Sequence, residues 1–311
     1  MDTPALALAR QRAADNLPER LTWGPLTLSV TNITLAEAFW TAVTGFVRRP
    51  DAGPGVALGT PDRTLVVLAP GATSPVARGH AGMYHVAFGV PSQAEFSRRM
   101  QRFIDLGVRF SPVDHLMSKA MYLDDPDGHG IEIAFETPAR FGRFSFDGGQ
   151  FTMVDAAGRP HSGREQLDLR AELGQADGTD PALPLHRDTN VAHLHLHVPA
   201  LVPSITWFEG IGFARNLKLQ DFGMADMGAG APYTHRLAMN IWAGPGARPA
   251  PATSARLLSY RLDASDSDTF DAARARLTEI PGADVLTGMD PAGVTLTLAL
   301  RATEYRKENA A

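Results

Sequence analysis

The sequence predicts an α+β fold made from four copies of one strand–helix–strand–strand–strand unit. The first observation is a repeated order of elements. An alternating strand at 26–30 and a helical stretch at 35–40 return about 168 residues later as a strand at 194–198 and a helical stretch at 205–208. Such self-similarity at a long spacing indicates repeated structural units.

The second observation is a repeated turn. The sequence Asp-Pro-x-Gly leads into an alternating strand at 125–135 and again at 290–300. Each copy follows a stretch with apolar residues at helical spacing, 95–106 in the first and 268–277 in the second. Alternating strands with one helix per unit, and no long parallel rhythm, predict α+β modules of the βαβββ type with mixed sheets.

The repeats also predict a domain organisation. The four units cover 24–72, 80–137, 190–245 and 255–303. Pairing them in chain order gives an N-terminal arm at 1–22, a first two-unit domain at 23–150, a connecting segment at 151–189 and a second two-unit domain at 190–305. The arm is expected to be a short helix outside the main fold. The connecting segment is rich in Gly, Asp and Pro and shows little periodicity, as expected between domains.

Composition excludes several classes of function. The 311 residues are 44% hydrophobic and 20% charged, so the chain can bury a sizeable core. A net charge of −5 argues against nucleic-acid binding. Because there is no cysteine, disulfides, thiolate metal sites and a cysteine nucleophile are excluded. No run approaches ~20 apolar residues, so we expect no membrane span and a cytoplasmic protein.

The histidines mark a candidate metal site. Alternation along one strand places His193, His195 and His197 on one face. His85 opens unit two, and Glu132 lies on its last strand. Two imidazoles and a carboxylate on facing strands are a ligand set for Fe(II) that leaves coordination positions open. The pattern alone also fits surface histidines or hydrogen-bonded core histidines.

One segment favours a metal site over surface or core histidines without a ligand role. His115, the pair Met121-Tyr122, Asp125-Pro126, Gly128 and Glu132 fill every slot of a pattern that resembles the extradiol ring-cleavage dioxygenase fingerprint. The four-unit layout over 24–303 resembles the vicinal oxygen chelate superfamily, which also contains glyoxalase I and the bleomycin-resistance proteins. The stretch 233–244 is similar to two-domain catechol-2,3-dioxygenase-like members.

The resemblance implies roles for particular residues. His85, Glu132 and His193 match the metal ligands, with Fe(II) as the expected ion and Mn(II) as the alternative. His115 and Tyr122 match an acid–base and hydrogen-bonding pair beside the metal. The implied reactants are a small aromatic diol and O₂, and a homo-oligomer is left open.

In the best-known two-domain members the ligands lie in units three and four, whereas here they lie in units two and three. Either the units pair in a rearranged order, or two chains share a site.

His235 is the sixth candidate. It lies near the last strand of unit three, at the position that we relate to Glu132 of unit two. As a base beside the substrate it fits a dioxygenase. As a fourth metal ligand it favours the alternative, a metal-dependent isomerase or lyase of the glyoxalase type. A ligand-sequestering protein of the bleomycin-resistance type is the third hypothesis, and a complete ligand set argues against it.

Overall fold

The computed structural model describes residues 2–50, 53–146 and 150–301. It confirms the α+β class, because the predicted unit occurs four times. The expected end of the second domain, residue 305, lies outside the described residues. No helix in the described ranges is both long and apolar enough to cross a bilayer.

The first two units follow an N-terminal helix, α1 (Pro4–Ala14). Unit one contains β1 (Leu21–Val30), α2 (Ile33–Phe39), β2 (Val47–Arg49), β3 (Val56–Gly59) and β4 (Thr64–Pro70). Unit two contains β5 (Gly82–Gly89), α3 (Gln93–Asp105), β6 (Ser111–Asp114), β7 (Ser118–Asp124) and β8 (Gly130–Glu136). The Asn32 side chain caps α2 and the Ser92 side chain caps α3, which fixes where each helix begins.

A connecting segment precedes the last two units. β9 (Phe141–Ser145) comes before the segment 151–189, which contains β10 (Thr152–Asp155), β11 (Pro160–His161), β12 (Glu165–Gln166) and α4 (Leu169–Leu173). Unit three contains β13 (Asn190–His197), α5 (Leu201–Glu209), β14 (Ala214–Leu219), β15 (Met224–Gly228) and β16 (Leu237–Asn240). Unit four contains β17 (Arg256–Ala264), α6 (Ser267–Ala273), β18 (Thr278–Glu279), β19 (Val285–Met289) and β20 (Thr295–Leu300).

The units do not pair in chain order. An eight-stranded sheet joins units one and four, in the order β18-β19-β20-β17-β1-β4-β3-β2. A nine-stranded sheet joins units two and three, in the order β12-β6-β7-β8-β5-β13-β16-β15-β14. The expected pairing of one with two and three with four is therefore wrong. Each unit leaves its first strand as an open edge, and the pattern within a unit does not specify which other edge it pairs with.

This pairing brings the histidine-bearing units together within one chain. β5 and β13 run antiparallel at the centre of the nine-stranded sheet. β1 and β17 make the corresponding pair in the other sheet. The apolar faces of both sheets and the helices share one large buried cluster, which includes Trp40, Phe88 and Phe208. The rearranged order is thus the arrangement adopted, and no second chain is needed to assemble the candidate site.

The N-terminal arm is helical, as expected, but its place outside the main fold is wrong. α1 packs against β14 and β15, and Ala5, Leu6 and Leu8 are buried. Gly228 on β15 allows this approach, because a Cβ atom there would lie 2.9 Å from the Cβ of Ala5. The helix therefore covers the outer strands of unit three.

The segment 151–189 is more than a connection. β10 pairs with β9 and β11 in a three-stranded sheet, and β12 extends the nine-stranded sheet beside β6. Buried Glu172 of α4 forms an ion pair with Lys119, 2.7 Å apart, which ties the segment to β7. Strands of two to four residues are too short to show a periodic pattern, so the sequence could not reveal them.

Candidate metal centre and active-site cavity

The central pair of strands positions two of the predicted ligands. His85 on β5 lies opposite His195 on β13, and His193 lies opposite Ala87, with an irregularity between the two pairs. Glu132 on β8 lies beside Ala87 in the parallel β5–β8 ladder. Because side chains two residues apart share a face, all these residues face the same side of the sheet.

The three predicted ligands converge. Glu132 Oε2 lies 3.1 Å from His85 Nε2 and 3.0 Å from His193 Nε2. The two Nε2 atoms are 3.3 Å apart. All three side chains are buried, and among the described residues they form the one cluster whose geometry could hold a metal ion.

The donor set fits a divalent transition metal. An ion about 2.1 Å from three ligand atoms at right angles places those atoms about 3.0 Å apart. Both Glu132 carboxylate oxygens are buried without a conventional hydrogen-bond partner. A buried carboxylate without such partners is costly unless a cation neutralises it. Two imidazole nitrogens and this carboxylate therefore match a metal-binding face whose other positions are open.

The protonation states also suit metal binding. Burial raises the pKa of Glu132, but the neighbouring His193 and His85 side chains outweigh it and hold that pKa well below its usual value. Burial lowers the pKa of His193 to about 4, against the opposing effect of Glu132. At neutral pH the glutamate is therefore a carboxylate and His193 a neutral imidazole, which are the forms that bind metals.

The position related to Glu132 in unit three holds alanine. Units two and three have the same fold, so β5 of unit two is equivalent to β13 of unit three. In the ladder between them His85 lies opposite His195 and Ala87 lies opposite His193. Superposing one unit on the other therefore places His85 on His193 and Ala87 on His195. The residue beside His195 in the β13–β16 ladder is Ala238, which therefore corresponds to Glu132. Relating His235 to Glu132 is thus wrong, because His235 precedes β16. The two units together offer three ligands at their equivalent positions.

His115 and Tyr122 form a hydrogen-bonded pair beside the cluster. His115 Nδ1 donates to the carbonyl oxygen of Gly163 (2.6 Å), and Tyr122 Oη donates to His115 Nε2 (2.8 Å). Burial lowers the pKa of His115, although Glu132 opposes this. Burial and the nearby Glu132 carboxylate raise the pKa of Tyr122 well above its usual value. The imidazole is therefore neutral and the phenol protonated at neutral pH.

His235 packs against the cluster but is not part of it. Its ring lies edge-on to the His193 ring, with the centroids 4.8 Å apart. Its Nδ1 donates to Asp226 Oδ2 at 2.8 Å. When the ring carries one hydrogen, on Nδ1, its lone pair is on Nε2.

The other two histidines of β13 share this face, as predicted, but both are hydrogen-bonded to Asn240. Asn240 joins them, because its Nδ2 donates to His195 Nε2 (2.9 Å) and its Oδ1 accepts from His197 Nδ1 (2.6 Å). Tyr84 packs on both rings, with centroids 5.0 and 4.9 Å away. Neither histidine belongs to the cluster of His85, Glu132 and His193.

A cavity of about 710 Å³ opens over the cluster. His115, Tyr122 and His235 line it together with the three converging side chains. Most of the rest of its wall is apolar and includes Phe144, Phe151, Met153, Leu217, Phe222, Met224 and Trp242. A largely apolar cavity with a few polar groups suits a small molecule with an apolar body.

Sequence reasoning missed three residues that line this cavity. Gly163 and Arg164 come from the segment taken as a connection, and Gly163 fixes the orientation of His115. Asp226, which holds His235, was also missed. Its signal is a lone carboxylate inside the apolar stretch 224–228, where a buried charge needs a partner.

The family comparison agrees with this geometry. Residues 23–133 match the model of the Glyoxalase/Bleomycin resistance protein/Dioxygenase superfamily. This part of the chain is therefore similar to the members of that superfamily. The match covers unit one and nearly all of unit two, including His85, His115, Tyr122 and Glu132.

Individual relatives extend the similarity. The chain is 29% identical over 218 residues to the catechol-2,3-dioxygenase of Bacillus subtilis (strain 168), covering 69% of this chain and 72% of that protein. The fold is similar to a crystal structure from Bacillus subtilis subsp. subtilis str. 168, with a TM-score of 0.56 and 13% identity over 90% of this chain and 85% of that one. Glyoxalase I from Zea mays has a TM-score of 0.52 and 14% identity, with 90% and 92% covered.

Proposed function

We propose that this chain is an Fe(II)-dependent extradiol ring-cleavage dioxygenase that acts on a catechol-like aromatic diol with O₂. Mn(II) is the alternative ion. The observation that carries the proposal is the set of three converging ligands, with Ala238 at the position where a fourth would stand. The similarity to a catechol-2,3-dioxygenase supports the same reaction class.

The proposal assigns His85, Glu132 and His193 to the metal and the remaining polar groups to proton transfer. When bound, the ion supplies a point at which the diol and O₂ can be held side by side. His235 Nε2 is the base that takes a diol proton, because Asp226 holds the hydrogen on Nδ1. His115 and Tyr122, which also line the cavity, supply hydrogen bonds and a proton. The apolar wall excludes water and orients the ring.

The glyoxalase-type alternative requires more ligands than this site offers. That reading needs four ligands, two from each unit. Ala238 cannot ligate, and His235 is held by Asp226 outside the converging cluster. The fold similarity to glyoxalase I does not distinguish the two reactions, because both occur on one fold.

An oxygen-consumption assay tests the proposed function. The chain is reconstituted with Fe(II) without air and then mixed with catechol in aerated buffer. We expect consumption of O₂ together with a yellow ring-opened product. Methylglyoxal with glutathione serves as the matched assay for the alternative. Conversion of that thiol adduct without uptake of O₂ from catechol contradicts the dioxygenase proposal.

We expect one tightly bound metal ion per chain. Units one and four contain no histidine, and unit four has Thr295 where unit two has Glu132 in the sequence comparison. Metal analysis of the reconstituted chain, after gel filtration, should give one equivalent of iron. A second equivalent that survives the His85→Ala substitution would contradict this expectation.

His235→Ala is expected to retain iron and to lose turnover. The ring contacts His193 but contributes no atom to the metal cluster, so its removal leaves all three ligands in place. Loss of a general base costs about 10²–10⁴-fold in rate. Iron content and kcat are measured on the same preparation. Loss of iron together with activity makes His235 a fourth ligand and favours glyoxalase-type chemistry.

A further inference from the structure

A series of hydrogen bonds connects the N-terminal helix to His235. Thr3 Oγ1 donates to Asn216 Oδ1 (2.7 Å), and Asn216 Nδ2 donates to Asp226 Oδ2 (3.1 Å). The same Asp226 oxygen accepts from His235 Nδ1 (2.8 Å). We call these four residues the Thr3–His235 chain. It joins α1, β14, β15 and the loop before β16.

The direction of every bond in the Thr3–His235 chain is fixed by its ends. Thr3 Oγ1 accepts from the backbone N–H of Leu6, so its hydroxyl hydrogen is available to donate to Asn216. Asn216 must then present its oxygen to Thr3 and its NH₂ group to Asp226. The other oxygen of Asp226 accepts from the backbone N–H of Leu217 (2.8 Å). A carboxylate can only accept, so it requires the hydrogen of His235 to be on Nδ1.

These bonds are shielded from water. Thr3, Asn216 and Asp226 are only 3%, 6% and 4% exposed, respectively. Hydrogen bonds in such surroundings are stronger than at the surface, and breaking one leaves a partner buried and unsatisfied. The Thr3–His235 chain is therefore stiff enough to define the orientation of the imidazole ring.

The N-terminal helix also packs on the cavity wall. Leu6 belongs to a small apolar cluster with Met117, Phe144, Leu217 and Tyr233, and all four of these partners line the cavity. α1 thus reaches the site through both a hydrogen-bonded side chain and an apolar one.

We propose that Asp226 is a positioning residue for His235 and that α1, through Thr3, is a working part of the active site. Asp226 holds His235 in the form with hydrogen on Nδ1 and the lone pair on Nε2. Thr3 orients the Asn216 amide so that its NH₂ group, and not its oxygen, faces Asp226. The catalytic consequence rests on the proposed function, whereas the hydrogen position on His235 does not.

Asp226→Asn is the first test. The amide keeps the shape of the side chain but can place an NH₂ group against His235 Nδ1, which moves the ring hydrogen to Nε2. We expect kcat to fall about 10–100-fold, with iron content and KM little changed. The same substitution in zinc-loaded protein, with nitrogen-15-labelled histidine, should convert the His235 signals from the Nδ1–H to the Nε2–H pattern. The His235→Gln variant identifies those signals.

Thr3→Val and Thr3→Ser test the role of the helix. Valine preserves the shape of threonine but cannot donate to Asn216. We therefore expect kcat to fall, but by less than in the Asp226→Asn variant. Serine keeps the hydroxyl and should restore the wild-type value. Arg10→Ala is the matched control on α1, because it breaks only the exposed Asp2–Arg10 ion pair (2.6 Å). That variant should leave kcat and the His235 signals unchanged.

The outcomes separate this proposal from the proposed function. A wild-type His235 with its hydrogen on Nε2, or an Asp226→Asn variant that keeps the Nδ1–H pattern, overturns the positioning role whether or not the chain oxidises a diol. A Thr3→Val variant equal to Arg10→Ala in both kcat and spectra overturns the role of α1. If no diol is turned over, the proposed function fails, and the nitrogen-15 spectra still decide the positioning role.

Discussion

Alanine at His85, Glu132 or His193 is expected to abolish metal binding and turnover together. Each side chain offers one of the three proposed ligand atoms, which lie 3.0–3.3 Å apart, and each is buried. Loss of a partner outside the ligand set typically costs about 10–100-fold in metal affinity, so loss of a ligand should cost more. Metal content after gel filtration and oxygen uptake with catechol measure the two effects.

A matched control is His197→Ala. His197 lies on the same strand and the same face as His193, but its Nδ1 is bound to Asn240 and it is outside the cluster. This variant should keep its metal and most of its activity. Full iron and normal turnover in any one of the three ligand variants would remove that residue from the site. Circular dichroism checks that each variant is folded.

Chelation gives an independent check on the same ligands. Removing the ion should leave the fold intact, because the buried apolar cluster extends through both sheets and does not depend on the site. Activity should return with Fe(II) in the wild type and in His197→Ala, but not in the Glu132→Ala variant. Unfolding of the wild type on chelation would instead indicate a structural ion.

The sequence predicted the units well because each rests on a local pattern. The alternation of His193, Leu194 and His195 places the leucine in the core and the histidines on the opposite face, and the structure has this arrangement. Ser92 and Asn32 begin helices where a capping residue precedes apolar periodicity. Such signals involve residues only a few positions apart, so they can be read from the chain directly.

Long-range pairing could not be predicted in the same way. The partner of β5 is β13, more than a hundred residues away, and only the complementarity of two open edges selects it. The prediction of which residue on the last strand of unit three is equivalent to Glu132 was also wrong. Glu132 follows His85 by 47 residues, but Ala238 follows His193 by 45, because the intervening strands and loops differ in length. His235 was consequently assigned to a position that belongs to Ala238.

His115→Ala and Tyr122→Phe are expected to keep the metal and to lose turnover, by about 10²–10⁴-fold in kcat. Neither residue contributes an atom to the ligand cluster, and the two are joined by a 2.8 Å hydrogen bond. Because both act through that one bond, the double variant should be little worse than the more damaging single one. Iron content, kcat and KM are measured for all three.

Tyr233→Phe is the matched control for Tyr122→Phe. Tyr233 is also buried and lines the cavity, but its hydroxyl makes only a long, 3.5 Å contact with Ser118. Loss of this hydroxyl should change kcat little. An equal loss of kcat in both phenylalanine variants would mean that either substitution merely disturbs the cavity wall.

Loss of iron from the His115→Ala variant, as complete as that from Glu132→Ala, would place His115 among the ligands. The fingerprint would then have been matched to the wrong residues of this chain. The Gly163 carbonyl holds the Nδ1 hydrogen of His115 and Tyr122 occupies its Nε2, so neither ring nitrogen is free to bind a metal and we expect the iron to remain.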